Sequence, residues 1–106
     1  MTDTILAVIR ERGPAWDPKV PMHRQKMWEE HAAFMNALVA DGVVVLGGPL
    51  GEGERVLLAM RAEDDRDVHR RLAGDPWSKR SLLITASIDA WTILLDGRET
   101  PRPAAG

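Results

Sequence analysis

The sequence predicts an α+β domain with the order β-α-β-β-α-β, two helices packed on one face of a four-stranded antiparallel sheet. Three observations lead there. Short runs rich in Val, Ile and Leu recur along the chain, stretches with apolar residues at three- and four-residue steps separate them, and glycine or proline marks the changes between the two. The 106 residues leave room for one core, so positions 1–106 are read as a single domain.

The first strand is placed at residues 4–10, where Thr-Ile-Leu-Ala-Val-Ile-Arg is apolar enough for a central position and too short for a good solitary helix. Gly13-Pro14-Ala15-Trp16-Asp17-Pro18 then breaks the pattern as a loop. The first helix is expected to open at Pro21 or Met22 and run to Ala40, where Asp41-Gly42 stops it. Trp28, His31, Met35 and Leu38 share one face of it, widened by Met27, Phe34 and Val39. Val43-Val44-Val45-Leu46 forms the second strand and ends at Gly47-Gly48-Pro49; the reversal through Gly53 leads to a third strand over residues 54–62. Asp64 or Asp65 caps the second helix, which Gly74 terminates. Asp75-Pro76-Trp77 interrupts the chain, with a turn or one helical turn carrying it through Arg80. A final strand is expected within residues 82–95, bent around Ser87-Ile88-Asp89, and a Pro/Gly-rich tail from about residue 97 is expected to fray. This order is the ferredoxin-like arrangement. It leaves one sheet face bare, and pairing two copies face to face would remove that surface from water at about 25 cal/mol per Å², so a homodimer is expected.

Composition narrows the function. There is no cysteine, which excludes a disulfide framework, a catalytic thiol and a Cys-based metal site. Fourteen basic against sixteen acidic side chains leave a formal charge of −2, and no aromatic–basic strip is evident, so no nucleic-acid partner is expected. No apolar run approaches the roughly 18 residues of a membrane span, and the N-terminus lacks a secretory pattern, so a cytoplasmic protein without a membrane partner is expected.

His31 is the leading candidate for chemistry: imidazole exchanges a proton near neutral pH, and the helix phase points it toward the sheet. A hydrogen-bonded structural histidine satisfies the same pattern. Asp75 suits a partner that fixes the ring's tautomer, or an ordinary turn carboxylate. Trp28, Trp77 and Trp91 serve either as packing anchors or as walls confining a flat organic ligand. Gly47, Gly48 and Pro49 form a turn that offers a pocket wall. His23 and His31 lie roughly 12 Å apart along a helix, too far to share one metal, and no HExxH arrangement appears. The glycine-rich turn lacks the Gly-Lys-Ser/Thr of a phosphate loop. Neither a metal nor a cofactor is expected.

Taken together, Glu30-His31-Ala32-Ala33-Phe34-Met35, the segment from Asp41-Gly42 through Gly47-Gly48-Pro49, and Ala73-Gly74-Asp75-Pro76-Trp77 resemble the YciI-like (YCII-related) family. The resemblance runs from the first strand through Ile88-Asp89-Ala90-Trp91. It implies a ferredoxin-like domain assembled as a dimeric α/β barrel, with His31 and Asp75 as the active-site pair, Gly48-Pro49 in the pocket loop and Trp77 at the aspartate-proline-aromatic turn. It further implies chemistry such as removal of HCl from a chlorinated hydroxyhydroquinone. The expected function is therefore a cofactor-independent lyase, dehydrochlorinase or isomerase acting through a His-Asp general acid–base pair on cyclic or halogenated organic molecules. The alternative is a non-catalytic homodimeric module that binds a small organic ligand. The chain departs from common short forms of the family at residues 16–20, 50–53 and 88–91.

Overall fold

Eight residues of alternating burial, β1 (Ile5–Arg12), thread the middle of the sheet in a computed structural model that describes residues 4–98. The remaining elements follow as α1 (Trp28–Ala40), β2 (Val44–Leu50), β3 (Arg55–Arg61), α2 (Asp65–Leu72), α3 (Pro76–Lys79) and β4 (Leu83–Ala90), with a 3-10 turn at Met22–Arg24 ahead of α1. Beyond Arg98 the expected frayed tail lies outside the described residues.

The strands are all antiparallel to their neighbours in the order β2-β3-β1-β4. Period-two alternation sends Leu6, Val8 and Arg10 of β1, with Leu58 and Met60 of β3, to the helix-covered face. There they meet Leu38 of α1 and Val68 and Leu72 of α2. Val8, Met60 and Val68 are completely buried, each stabilising the fold by about 1.5–3 kcal/mol. A smaller cluster of Trp77, Leu82 and Leu83, with Trp16, Met27 and Trp28 against it, closes one end of the same layer.

The sheet corrects one expectation. It is open: β2 and β4 are its two edges and do not pair with each other, so the chain forms a ferredoxin-like sheet with flanking helices and not a barrel. Closing a barrel requires the first and last strands to share hydrogen bonds with a staggered register, and here β3 and β1 separate them.

Local boundaries also differ: β1 continues two residues beyond the expected end at Arg10 and so includes Arg12. α1 begins at Trp28, six or seven positions later than expected, because Gln25 is buried in an extended conformation and ties down the preceding loop. Its side-chain amide donates to the carbonyls of Asp17 and Val20, and its carbonyl oxygen accepts from the Asp17 N–H. Met27 then turns into the left-handed region, φ 62°, before the helix starts. Val39 projects into solvent more than its assignment to the apolar face implied.

Gly47-Gly48-Pro49 is not a reversal; β2 runs through it to Leu50, and the turn begins at Gly51. Gly47 permits this, since a Cβ there would stand 2.7 Å from Leu58 Cδ2. Pro49 is tolerated because β2 is an edge strand. β4 ends at Ala90, and its irregularity falls opposite Ile9 and Arg10, between Thr85 and Ser87, slightly ahead of the expected bend.

Candidate active site

The local sequence after α2 explains how an acid comes to lie under α1. Asp64 caps α2 by accepting from the Asp67 N–H at 2.9 Å, and α2 ends in Ala73-Gly74. Gly74 sits so close to α1 that a Cβ would meet the Phe34 ring at 2.9 Å. Asp75 follows as the N-cap of α3, with Pro76 at the first helical turn, where its missing N–H costs nothing. The Asp75 Oδ1 accepts from the Trp77 N–H at 3.0 Å.

The same oxygen accepts from His31 Nδ1 at 2.8 Å, across 44 positions of sequence. The other oxygen accepts from Arg10 Nη1 at 2.9 Å, and Arg10 Nη2 donates to Ser78 Oγ. Asp75 is fully buried and Arg10 is 2% exposed. Burial alone pushes the Asp75 carboxyl up toward its neutral form; the hydrogen bonds from His31, Arg10 and the Trp77 amide outweigh it and hold the group below the ordinary carboxylate value. An ionised carboxylate only accepts, so the proton of a neutral imidazole sits on Nδ1. Nε2 makes no hydrogen bond to any described residue.

Aromatic rings fix the imidazole on its faces. His31 stacks on Trp77 with centroids 3.9 Å apart and planes 7° from parallel. Trp28 lies tilted beside both, at 6.0 Å from His31 and 5.8 Å from Trp77, and Trp16 meets Trp77 edge-on at 5.4 Å. Trp77 is itself anchored, its Nε1 donating to the Lys26 carbonyl at 2.6 Å.

His31 opens onto a cavity of about 730 Å³. Trp28, Trp77, Gly47, Gly48 and Pro49 all line it, and Asp75 supports His31 from below. Trp91 does not belong to it. It lines a separate hollow with Ile5, Leu46 and Ala59 on the opposite sheet face: its N–H still donates to the Ile5 carbonyl at 2.9 Å, and strand alternation after Ala90, which pairs with Leu6, turns its side chain away from the helices. His23 and His69 are both exposed, and among the described residues no group of three or more His, Asp or Glu side chains is arranged to hold a metal ion.

Two site residues escaped the sequence analysis: Arg10 and Arg12, both in β1 and both on the cavity wall. A signal for them existed. They occupy the same alternating phase as Leu6 and Val8, so a strand destined for the core carries cations where the pattern calls for apolar side chains.

No protein-family model matches the chain, and no curated protein sequence matches it. Among solved structures it is similar to 5-chloro-2-hydroxyhydroquinone dehydrochlorinase (TftG) from Burkholderia phenoliruptrix AC1100, determined in complex with 2,5-dihydroxybenzoquinone. The two are 25% identical with a TM-score of 0.54, over 82% of this chain and 93% of that one. The dehydrochlorinase is thus a structural homologue of this chain over nearly the whole described fold.

Proposed function

We propose that this chain is a YciI-like small-molecule lyase or isomerase that works by general acid–base catalysis without a cofactor. The observation that carries the reading is the contact of His31 Nδ1 with a buried, ionised Asp75 beside an aromatic-lined cavity. Similarity to a dehydrochlorinase supports the substrate class, a cyclic and halogenated organic molecule.

In this reading Nε2 of His31 removes a proton from a hydroxyl, or from a carbon beside a carbonyl, of the ring. The released electron pair forms a new double bond as chloride leaves from the far end of the conjugated system, so the step yields the unsaturated product, chloride and a protonated imidazole. Asp75 holds the ring's orientation and stabilises its positive charge, the role of the third member of a nucleophilic triad. Trp28 and Trp77 confine the flat substrate and keep water from the base. Returning the proton to a different atom instead of expelling a halide makes the same pair an isomerase.

The test is turnover against a panel of halogenated hydroquinones, cyclic enols and lactones, following chloride release and product formation by chromatography. His31→Ala is expected to lower kcat/KM by about a hundredfold or more, and Asp75→Asn by a comparable factor. Full turnover in both folded variants would overturn the reading. Binding without conversion would leave a ligand-binding module in its place.

The sheet face that carries no helix, flanked at one side by Ile93 and Leu95, supports a homodimer. By register Ile5, Ile9, Leu46 and Leu57 lie on it, with Leu46 54% exposed. Our reading is that a second copy shields this surface.

A further inference from the structure

The cavity holds two arginines with different electrostatic situations. Arg10 is neutralised: its guanidinium is paired to the Asp75 carboxylate and bonded to Ser78. Arg12 is not. Its side chain donates no hydrogen bond and forms no ion pair with any described residue; its Nε is buried without a partner, as that of Arg10 is, but Arg10 has its two Nη groups satisfied and Arg12 has none. A guanidinium with no acceptor at all, on a cavity wall, is charge left available to an occupant of that cavity.

The guanidinium is nevertheless held in place. Its Cζ lies 5.0 Å from the centre of the Trp16 ring, and its Nη2 rests against Gly53, where it would touch a Cβ at 3.5 Å. A cation positioned over an aromatic face loses mobility without losing charge. The carboxylate that shares the cavity wall, Glu52, is exposed at the turn and does not pair with Arg12. Along β1 the two arginines are separated by about 7 Å at the usual strand rise, roughly the span of a six-membered ring with its oxygen substituents.

We propose that Arg12 is the anion-recognition element of the cavity and that the ligand is an organic anion, its ionised oxygen on Arg12 and its reacting side toward His31. This rests on the reading of the cavity as a small-molecule site and adds the charge of the occupant. An enolate, phenolate or carboxylate oxygen on a flat ring meets the requirement. Arg12 is a specificity-determining residue here: it selects for charge and sets the ring's orientation relative to Nε2, while the proton transfer belongs to His31.

The experiment is calorimetric titration of the wild-type protein, Arg12→Gln and Arg12→Lys with 2,5-dihydroxybenzoquinone, an acid ionised at neutral pH, and with its uncharged dimethyl ether. The inference expects the anion to bind wild type at least about tenfold tighter than the ether, since a charge-assisted hydrogen bond separates them. Arg12→Gln should remove most of that preference without weakening the ether, and Arg12→Lys should restore part of it. Both variants should unfold cooperatively with melting temperatures within a few degrees of wild type, because Arg12 makes no hydrogen bond or ion pair with the described residues and only its contact with the Trp16 ring is altered. Equal affinity for both compounds, or an unchanged preference in Arg12→Gln, would overturn the inference while leaving the cavity's role intact. Failure of both compounds to bind wild type would overturn it together with the reading on which it rests.

Discussion

Asp75 carries more of this molecule than any other single side chain. It caps α3, orients His31 and neutralises Arg10, so its removal leaves a buried cation unpaired. Asp75→Asn is expected to destabilise the protein by about 3–5 kcal/mol at neutral pH. The pH dependence follows from the direction of its shift. The folded value lies below the ordinary 3.8, so the contribution is complete above that value and disappears as pH falls through the folded one. Urea unfolding of wild type and Asp75→Asn followed from about pH 5 to about pH 2.5 should therefore show a gap that narrows once pH falls below about 4. A gap undiminished at the lowest pH would contradict this account of the carboxylate. Trp77→Ala is expected to cost about 3–5 kcal/mol, since a wholly buried indole is lost, and to free the imidazole from its stacking partner. At this scale the sequence was informative for His31 and Asp75 because helix phase and turn chemistry place each independently. It was silent on Arg10 and Arg12, since their significance depends on which neighbours the fold supplies, and local pattern does not encode that.

At the scale of elements, the meeting of α1 with the turn after α2 decides whether the site exists. Gly74 allows the approach, and Gly74→Ala would drive a methyl into the Phe34 ring. A loss of about 1–3 kcal/mol is expected, with a fall in kcat as Asp75 is pushed off His31. Phe34→Leu should recover part of both in the double variant, and a thermodynamic cycle measures that coupling. Additive effects would show that the contact does not govern the approach. Helix and strand order was legible from apolar spacing and from Gly/Pro punctuation. Boundaries set by distant partners were not: α1 starts late because of Gln25, whose hydrogen bonds are made to the preceding loop, and β2 continues through its glycines because Leu58 of the neighbouring strand needs the room.

For the whole molecule, the sheet face that carries no helix is where the homodimer reading is tested. The homodimer reading predicts that sedimentation equilibrium finds two chains per particle and that Leu57→Lys yields one, with its own helix-covered core unchanged; a wild-type monomer at high concentration would remove the reading. The face itself could be anticipated, because four strands and two helices covering one side leave another side unsheltered. Openness of the sheet could not, because whether edges meet depends on three-dimensional curvature that a linear pattern of residues does not record. The pairing of Asp75 with Arg10 has one more effect at this scale. Arg10 belongs to β1, the strand flanked by β3 and β4, so α3 cannot peel away without stranding a cation in the middle of the sheet. The corner that holds His31 and Asp75 therefore has no cheap route to partial opening. Its Trp77 amide should swap its hydrogen for solvent deuterium no faster than the amides of the innermost strand, exchanging only when the entire chain comes apart.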